Sequence, residues 1–349
     1  MMKKGLINLS ISSVVTFVGM MGFWMGMPVP IMEQVLSQVS EENELAEAKR
    51  LEQQIFQLSQ EGQYAEAIPL AEKALGIRKK VLGDNHTDVA KSLNNLAELY
   101  RLQGRYTEAE PLYQQSLAIR KETLGDNHPS VATSLNNLAL LYYSQGIYAE
   151  AEPLYQQSLA IRKETLGDNH PSVATSLNNL ALLYYSQGRY AEAEPLYQQS
   201  LAINKETLGD NHPSVATGLN NLATLYYSQG RYTEAEALFR QFLAINKETL
   251  GDNHPSVATG LNNLAALYRS QGRYTEAEAL YQQSLAIEKK TLGDNHPSVA
   301  TGLNNLAALY RSQGRYTEAE ALYQQSLAIE KKTLGDNHPS VATGLNNLA

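Results

Sequence analysis

The residues of this chain that could do chemistry lie in a short motif, Gly-Asp-Asn-His, which recurs every 42 residues. In one copy, Asp126, His128 and Ser130 follow one another at alternate positions, a set of types that suggests a metal site or a hydrolytic triad. All seven histidines of the chain belong to the motif: His86, His128, His170, His212, His254, His296 and His338.

Both chemical interpretations meet a geometric difficulty. Stacked helical hairpins lie roughly 8–10 Å apart, whereas a zinc ligand lies within about 2.2 Å of its metal. Neighbouring histidines therefore cannot share one ion, and Asp, Asn and Ser are the types that turns and helix starts favour. We expect the motif to be structural, and we expect no catalytic residue, no metal site and no cofactor.

Composition excludes other classes of function. The formal net charge is −8, which argues against a nucleic-acid partner because phosphate binding needs a concentrated basic face. The chain has no cysteine, which excludes disulfides, thiolate nucleophiles and cysteine-ligated zinc.

The elements that carry the motif are predicted to be helices. In the copy from Asn85 to Asp126, Leu93, Leu96, Ala97 and Tyr100 follow the spacing of one helical stripe. A fixed period of this length is typical of a solenoid, in which each unit buries its apolar face against its neighbours. Two units, 253–294 and 295–336, are identical at every position.

A second helix completes each unit. It is predicted to begin near Thr107, because Thr107 and Glu110 fit the capping-box pattern. It should end near Leu124, with Gly125 in a left-handed conformation at its C-terminus. Pro129 then takes the first position of the next helix. No segment has a strand pattern, so the sequence predicts an all-α fold.

Later units replace a serine near the start of the first helix with glycine, which costs roughly 0.5–1 kcal/mol relative to alanine in a helix. A close approach between helices is one explanation, and the sequence gives no firmer one. The substituted positions are Gly218, Gly260, Gly302 and Gly344.

The string Leu-Asn-Asn-Leu-Ala-x-Leu-Tyr, followed by Gln-Gly-x-Tyr-x-Glu-Ala-Glu, resembles the tetratricopeptide repeat. The unit length and the connector Leu-Gly-Asp-Asn-His-Pro-Ser-Val-Ala are similar to the kinesin light chain subclass, here of a bacterial type. The resemblance covers 44–349, with a divergent first unit at 44–84, six regular units over 85–336 and a truncated unit at 337–349. It implies an α-solenoid wound as a right-handed superhelix, with the first helices lining the concave face.

One asparagine of each unit is predicted to face this concave groove, because it lies well away from the apolar stripe. An amide both donates and accepts hydrogen bonds, so a row of amides suits a peptide backbone, as the resemblance also implies. The groove asparagines are Asn94, Asn136, Asn178, Asn220, Asn262 and Asn304.

The neighbouring groove positions vary along the array, which predicts a groove that is aromatic in its centre and basic at both ends. Such a groove suits an extended segment with apolar anchors flanked by acidic residues. A second interpretation, that the tyrosines only pack on neighbouring helices, stays open. The central residues are Tyr143, Tyr185 and Tyr227, and the outer ones are Arg101, Arg269 and Arg311.

The N-terminal segment 1–32 is predicted to be a signal peptide or a membrane anchor, and 33–43 a polar linker. Lys3 and Lys4 precede an apolar run, Leu6–Met27, of 22 residues, and a membrane span needs about 20. The run lacks an Ala-x-Ala cleavage site. A minor alternative is a buried core segment. Both leading interpretations place the repeats on the exported side of the cytoplasmic membrane, periplasmic or in the cell envelope.

The function that the sequence predicts is a non-enzymatic scaffold that binds a partner protein or an extended peptide in its groove. The alternative is the sensor or regulatory arm of a longer enzyme, because similar bacterial arrays are fused to caspase-like peptidase or nucleotide-binding switch domains. The chain stops at Ala349, inside a predicted helix, so we expect further sequence beyond it.

Overall fold

A computed structural model describes residues 29–348, and every regular element in that part of the chain is an α-helix, which confirms the predicted fold class. The fifteen helices are α1 (Val29–Gln60), α2 (Tyr64–Leu82), α3 (Thr87–Leu102), α4 (Tyr106–Leu124), α5 (Pro129–Ser144), α6 (Tyr148–Leu166), α7 (Pro171–Ser186), α8 (Tyr190–Leu208), α9 (Pro213–Ser228), α10 (Tyr232–Leu250), α11 (Pro255–Ser270), α12 (Tyr274–Leu292), α13 (Pro297–Ser312), α14 (Tyr316–Leu334) and α15 (Pro339–Leu348).

Consecutive helices pack as seven stacked hairpins, from hairpin 1 (α1 and α2) to hairpin 7 (α13 and α14), and α15 packs on the last. The predicted stripe of α3 is buried, since Leu93, Leu96, Ala97 and Tyr100 are all at most 8% exposed. The core therefore runs along the array between hairpins, as nearest-neighbour packing requires.

The N-terminal region differs from the prediction where the structure describes it. Residues 33–43, expected to be a linker, lie inside the continuous helix α1. This helix spans 32 residues, and Ala48 and Leu51 in its C-terminal half pack with Ala74 of α2. The predicted hydrophobic helix at 6–27 lies outside the described residues. Within 29–348, no helix is both long and apolar enough to cross a membrane.

The connectors use histidine as the helix cap. The Nδ1 atom of His128 accepts a hydrogen bond from the backbone N–H of Ser130 at 3.0 Å, and Pro129 lies in the first turn as predicted. Gly125 has a φ of 86° and a ψ of 156°, so its positive φ requires glycine although the conformation is not the left-handed helical one. All seven histidines accept in the same way.

The predicted capping box is wrong. Helix α4 begins at Tyr106, one residue before the expected start, and its cap residue Arg105 makes no side-chain cap bond. Thr107 therefore lies inside the first turn and cannot act as a cap. The carboxylate of Glu110 instead accepts a hydrogen bond from Tyr142 of the next hairpin at 2.8 Å, so it links two units.

Candidate binding groove

The first helices carry two adjacent asparagines, and these form a ladder of hydrogen bonds between units. In each step, the side-chain amide of the second asparagine donates to the carbonyl oxygen of the predicted groove asparagine one unit earlier. We call this row the asparagine ladder. Its bonds are Asn137 to Asn94 at 2.9 Å, Asn179 to Asn136 at 2.8 Å, Asn221 to Asn178 at 2.8 Å, Asn263 to Asn220 at 2.7 Å and Asn305 to Asn262 at 3.1 Å.

The ladder changes what the groove asparagines can offer a ligand. The side-chain carbonyl oxygen of each groove asparagine in the ladder already accepts one bond, whereas the side-chain N–H groups of all of these except Asn136 donate to no ladder residue. Asn136 is buried and donates weakly to Asn137 at 3.3 Å, but Asn94, Asn178, Asn220 and Asn262 are half-buried. The row is thus richer in donors than in acceptors.

The central tyrosines form a second set of bonds between units. The Tyr143 hydroxyl lies 2.8 Å from Ser186 Oγ, and the Tyr143 ring packs on Tyr148 with ring centroids 5.8 Å apart. Tyr185 and Tyr227 repeat both contacts with the equivalent residues. All three tyrosines stay half-buried. The packing on neighbouring helices is therefore real, and a share of each ring remains accessible.

The predicted basic ends of the groove are unlike each other. The Arg101 guanidinium makes two bonds to the Glu98 carboxylate, at 2.8 and 2.6 Å, and a third to Ser144. Burial opposes the charge of Arg101, but Glu98 outweighs that cost and raises its pKa. The equivalents of Glu98 near Arg269 and Arg311 are alanines.

Within residues 29–348, Arg269 and Arg311 enter none of the ion pairs of the array. The expectation of two basic ends is therefore corrected to one, at the α11 and α13 end of the groove. The other end is neutralised because Glu98 lies within reach on the same helix, three residues before Arg101.

The second helices also contribute a buried tyrosine whose hydroxyl reaches the groove side. The Tyr113 ring is fully buried, yet its hydroxyl donates to Glu98 on the groove side at 2.6 Å. Burial raises the pKa of Tyr281 to about 12, and the nearby Arg269 opposes that rise. The sequence carries a sign of this role, because an aromatic residue recurs at the same position of each unit. The residues are Tyr113, Tyr155, Tyr197, Phe239, Tyr281 and Tyr323.

The first hairpin adds an apolar spot to the same face. Phe56 on α1 is 65% exposed and lines a shallow pocket with Ile55, Asn94 and Leu99. No groove residue is predicted there from the sequence, because the divergent first unit lacks the asparagine motif. The groove therefore extends across α1.

A variable buried position lies beneath the groove, on the second helix of each hairpin. In hairpin 3, Arg162 donates to the Ser172 carbonyl at 3.0 Å and to Ser176 Oγ at 2.9 Å, both on the next hairpin. The position changes from basic to neutral to acidic along the chain: Arg78, Arg120, Arg162, Asn204, Asn246, Glu288 and Glu330.

Two of the four glycines that the sequence left unexplained face this variable position, and the other two face a neighbouring apolar side chain. A Cβ on Gly302 would lie 2.7 Å from Glu288 Oε2, and one on Gly344 would lie 2.9 Å from Glu330 Oε2. At Gly260 the close neighbour is the Phe242 ring, at 2.8 Å. At these three positions glycine leaves room for the opposite side chain, whereas at Gly218 the nearest atom, Leu201 Cδ1, is 3.3 Å away.

Glu288 has no compensating donor in the described part of the chain, and Glu330 has only Asn304 Nδ2, which lies 3.5 Å from its Oε1. Glu288 and Glu330 are each 7% exposed, and their Oε2 atoms, together with Asn304 Oδ1, are buried without a hydrogen-bond partner. Burial raises the pKa of Glu288 to about 7 and also raises the pKa of Glu330. Burial therefore favours the neutral form of both carboxyls.

A model of one protein family matches most of the chain. The matched family is described as "Tetratricopeptide repeat". The matched segments are 51–122, 88–164, 130–206, 172–248, 214–290, 256–329 and 298–349.

Solved structures of several proteins are similar to this chain. A putative kinesin light chain with nearly identical TPR-like repeats from Podosopora anserina is 38% identical, over 59% of this chain and 98% of that one, with a TM-score of 0.48. BtubC (BKLC) from P. vanneervenii is 24% identical over 68% and 92%, with a TM-score of 0.51. Aspartyl phosphate phosphatase F from Bacillus subtilis is 15% identical over 95% and 86%, with a TM-score of 0.66. A comparison with curated proteins finds no match.

Proposed function

Because the chain belongs to the tetratricopeptide-repeat family, we propose that it is a scaffold that binds an extended segment of a partner protein along its concave face. The observation that carries this proposal is the row of half-buried amides in successive first helices, whose carbonyls are held by the asparagine ladder. A ladder fixes the direction in which the amide N–H groups point, which reduces the entropy lost on binding.

The chemistry of the row favours backbone recognition. Amide N–H groups donate to carbonyl oxygens, and every residue of an extended peptide supplies one. Such contacts hold a segment without reading its side chains. Sequence preference would then come from the groove positions that vary, chiefly the central tyrosines.

The variable positions support a ligand with two parts. Tyr143, Tyr185 and Tyr227 offer half-buried aromatic surface for apolar side chains. Arg269 and Arg311 lack the carboxylate that neutralises Arg101, so an acidic residue of the ligand would find its partner at their end. The segment we propose is therefore apolar in its middle and acidic at one end.

A peptide-library experiment on the full chain tests the proposal. Changing Tyr143, Tyr185 and Tyr227 together to alanine should abolish selection of apolar peptides, whereas the same three changes to phenylalanine keep the rings and remove only the hydroxyl bonds. If peptides bind the alanine variant as well as the parent, the aromatic anchors are not the site. Charge reversal at Arg269 and Arg311 should remove the preference for acidic ends.

We further propose that the array works on the exported side of the cytoplasmic membrane, in the periplasm or cell envelope. The support is the order of Lys3, Lys4 and the apolar run Leu6–Met27, since basic residues remain on the cytoplasmic side. External protease should digest the repeats in spheroplasts of expressing cells. Protection of the repeats in intact spheroplasts would place them on the other side.

A further inference from the structure

Two hairpin turns near the start of the array lie against two connectors near its far end. A Cβ built on Gly62 would lie 3.0 Å from Pro297 Cδ and 3.3 Å from His296 Cδ2. A Cβ built on Gly104 would lie 2.9 Å from His338 Cδ2. Both pairs are 234 residues apart, so they are successive steps of one contact, which we call the seam.

The seam shows that the array completes a turn of its winding and touches itself. The hairpin-turn glycines further along the chain have the same positive φ but no neighbour within 4 Å of an added Cβ. These glycines are Gly146, Gly188, Gly230, Gly272 and Gly314. The seam therefore forms where turns and connectors meet and is not a property of every unit.

The two histidines of the seam also cap the helices that follow them. The Nδ1 atoms of His296 and His338 each accept the backbone N–H of the residue two positions on, Ser298 and Ser340, at 3.1 Å. The other edge of each ring, with Cδ2 and Nε2, faces the glycine. An imidazolium ring has two donors and no acceptor, so protonation would break the cap and place a charge in the seam.

We propose that the seam is a pH-sensitive latch, closed while His296 and His338 are neutral and opened when they become protonated. Opening separates the two ends of the winding and relaxes the curvature of the groove. The latch itself needs no ligand, and only its effect on ligand affinity rests on the proposed function.

The charged groups around His296 are Glu61 and Glu66 on the first hairpin and Asp294 and Lys332 on the connector side. Burial lowers the pKa of His296, and the backbone carbonyl of Gln60 opposes that change.

Around His338, the equivalent positions carry Arg105, Glu108 and Asp336, and burial again lowers the pKa. A depressed histidine pKa means that the closed seam binds the proton less tightly than the open one. Closure is therefore fully present above about pH 6.5, the ordinary histidine value, and is lost as the pH falls below it.

A distance measurement across the seam tests the latch. Since the chain has no cysteine, spin labels can be attached to Gln63→Cys and Asn295→Cys, two exposed and uncharged positions on opposite sides of the seam. The full chain should give one short, narrow distance at pH 8 and a longer, broader one at pH 5. A distance that is unchanged between the two values would overturn the proposal.

Asparagine substitutions assign the response to the two rings. His296→Asn with His338→Asn keeps an uncharged cap, so the distance should stay short at both pH values. The same changes at His128 and His170, which touch no other turn, should leave the response intact. A response that survives in the first variant would show that other groups drive it.

Alanine substitutions test the contact without any change of pH. Gly62→Ala with Gly104→Ala should lengthen the label distance at pH 8, because each new methyl meets a ring or proline. Gly146→Ala with Gly188→Ala imposes the same backbone strain at φ values of 75° and 73°, but meets no neighbour. An equal change in both variants would assign the effect to strain, and the seam would be refuted.

Discussion

The junction after hairpin 3 and the junction after hairpin 6 have the same helix arrangement but bury groups of opposite charge. At the first, the Arg162 guanidinium reaches Ser176 Oγ and the Ser172 carbonyl. At the second, Glu288 occupies the equivalent position and Gly302 replaces the serine. An arginine finds acceptors on the facing helix, because the hydroxyl and carbonyl there can accept, whereas a carboxylate finds no donor.

The apolar packing therefore repeats from unit to unit, whereas the charge of the buried polar residue at each junction does not. The core residues of each unit are buried to the same degree along the chain. The buried polar position beneath them passes from cation to amide to carboxyl. The stability of the N-terminal junctions should thus be insensitive to pH near neutrality. The stability of the junctions at Glu288 and Glu330 should change with pH in that range.

The largest expected effect is at Glu288. Its pKa is raised from the ordinary value of 4.5 to about 7, so between these values the folded chain holds a proton that the unfolded chain releases. The stability of this junction is therefore full at low pH and falls as the pH rises towards 7. Glu288→Gln should remove a penalty of about 3 kcal/mol at pH 8 and flatten the pH dependence.

Hydrogen exchange of the α12 and α13 amides at pH 5 and pH 8 measures this effect locally. The exposed Glu248→Gln is the matched control and should change nothing. Equal protection of the parent and of Glu288→Gln at pH 8 would mean that the carboxylate finds a partner when ionised.

A smaller effect is expected when the glycine of the later units is moved to an earlier one. Ser176→Gly removes one bond to the Arg162 guanidinium and adds the cost of a helical glycine, about 2 kcal/mol together. Ser176→Ala removes only the hydroxyl and should cost about half as much. Urea unfolding of the full chain measures both.

The control for that pair is Thr175→Gly compared with Thr175→Ala, at an exposed neighbour in the same helix. Both changes remove the hydroxyl bond to the Pro171 carbonyl at 3.2 Å, so their difference gives the glycine cost alone. If Ser176→Gly lowers the free energy of unfolding no more than Thr175→Gly does, the buried Arg162 is not stabilised by its bond to Ser176.

The sequence predicted the features that depend on periodicity. The 42-residue period and the stripe of Leu93, Leu96 and Ala97 were sufficient to identify helical hairpins and their core, because burial repeats with the chain. Pro129 at the helix start follows from its fixed φ and missing N–H. Each of these is a local rule that tertiary contacts do not override.

The features that the sequence missed depend on contacts between units. Thr107 looked like a cap, but the helix starts one residue earlier and Glu110 bonds to the next hairpin. The neutralisation of Arg101 is an exception, because Glu98 lies three residues before it on the same helix and that spacing is visible in the sequence. The seam could not be found at all, since a separation of 234 residues depends on the pitch of the whole winding.

The smallest expected effect comes from exchanging one junction for the other, and it is the sharpest test of the comparison. Glu288→Arg with Gly302→Ser recreates the arrangement of Arg162 and Ser176 within hairpins 6 and 7. Glu288→Arg alone lacks one acceptor, and Gly302→Ser alone places its side chain against the carboxylate of Glu288. The double variant should therefore be more stable than the sum of the two by about 1 kcal/mol. Urea unfolding at pH 8 measures that coupling.

The same pair built as Asn246→Arg with Gly260→Ser should gain less stability, because the Phe242 ring, 2.8 Å from a Cβ at position 260, obstructs the serine. A coupling near zero at Glu288 and Gly302 would mean that the two residues vary independently, and the charge of the buried group would then not explain the glycine.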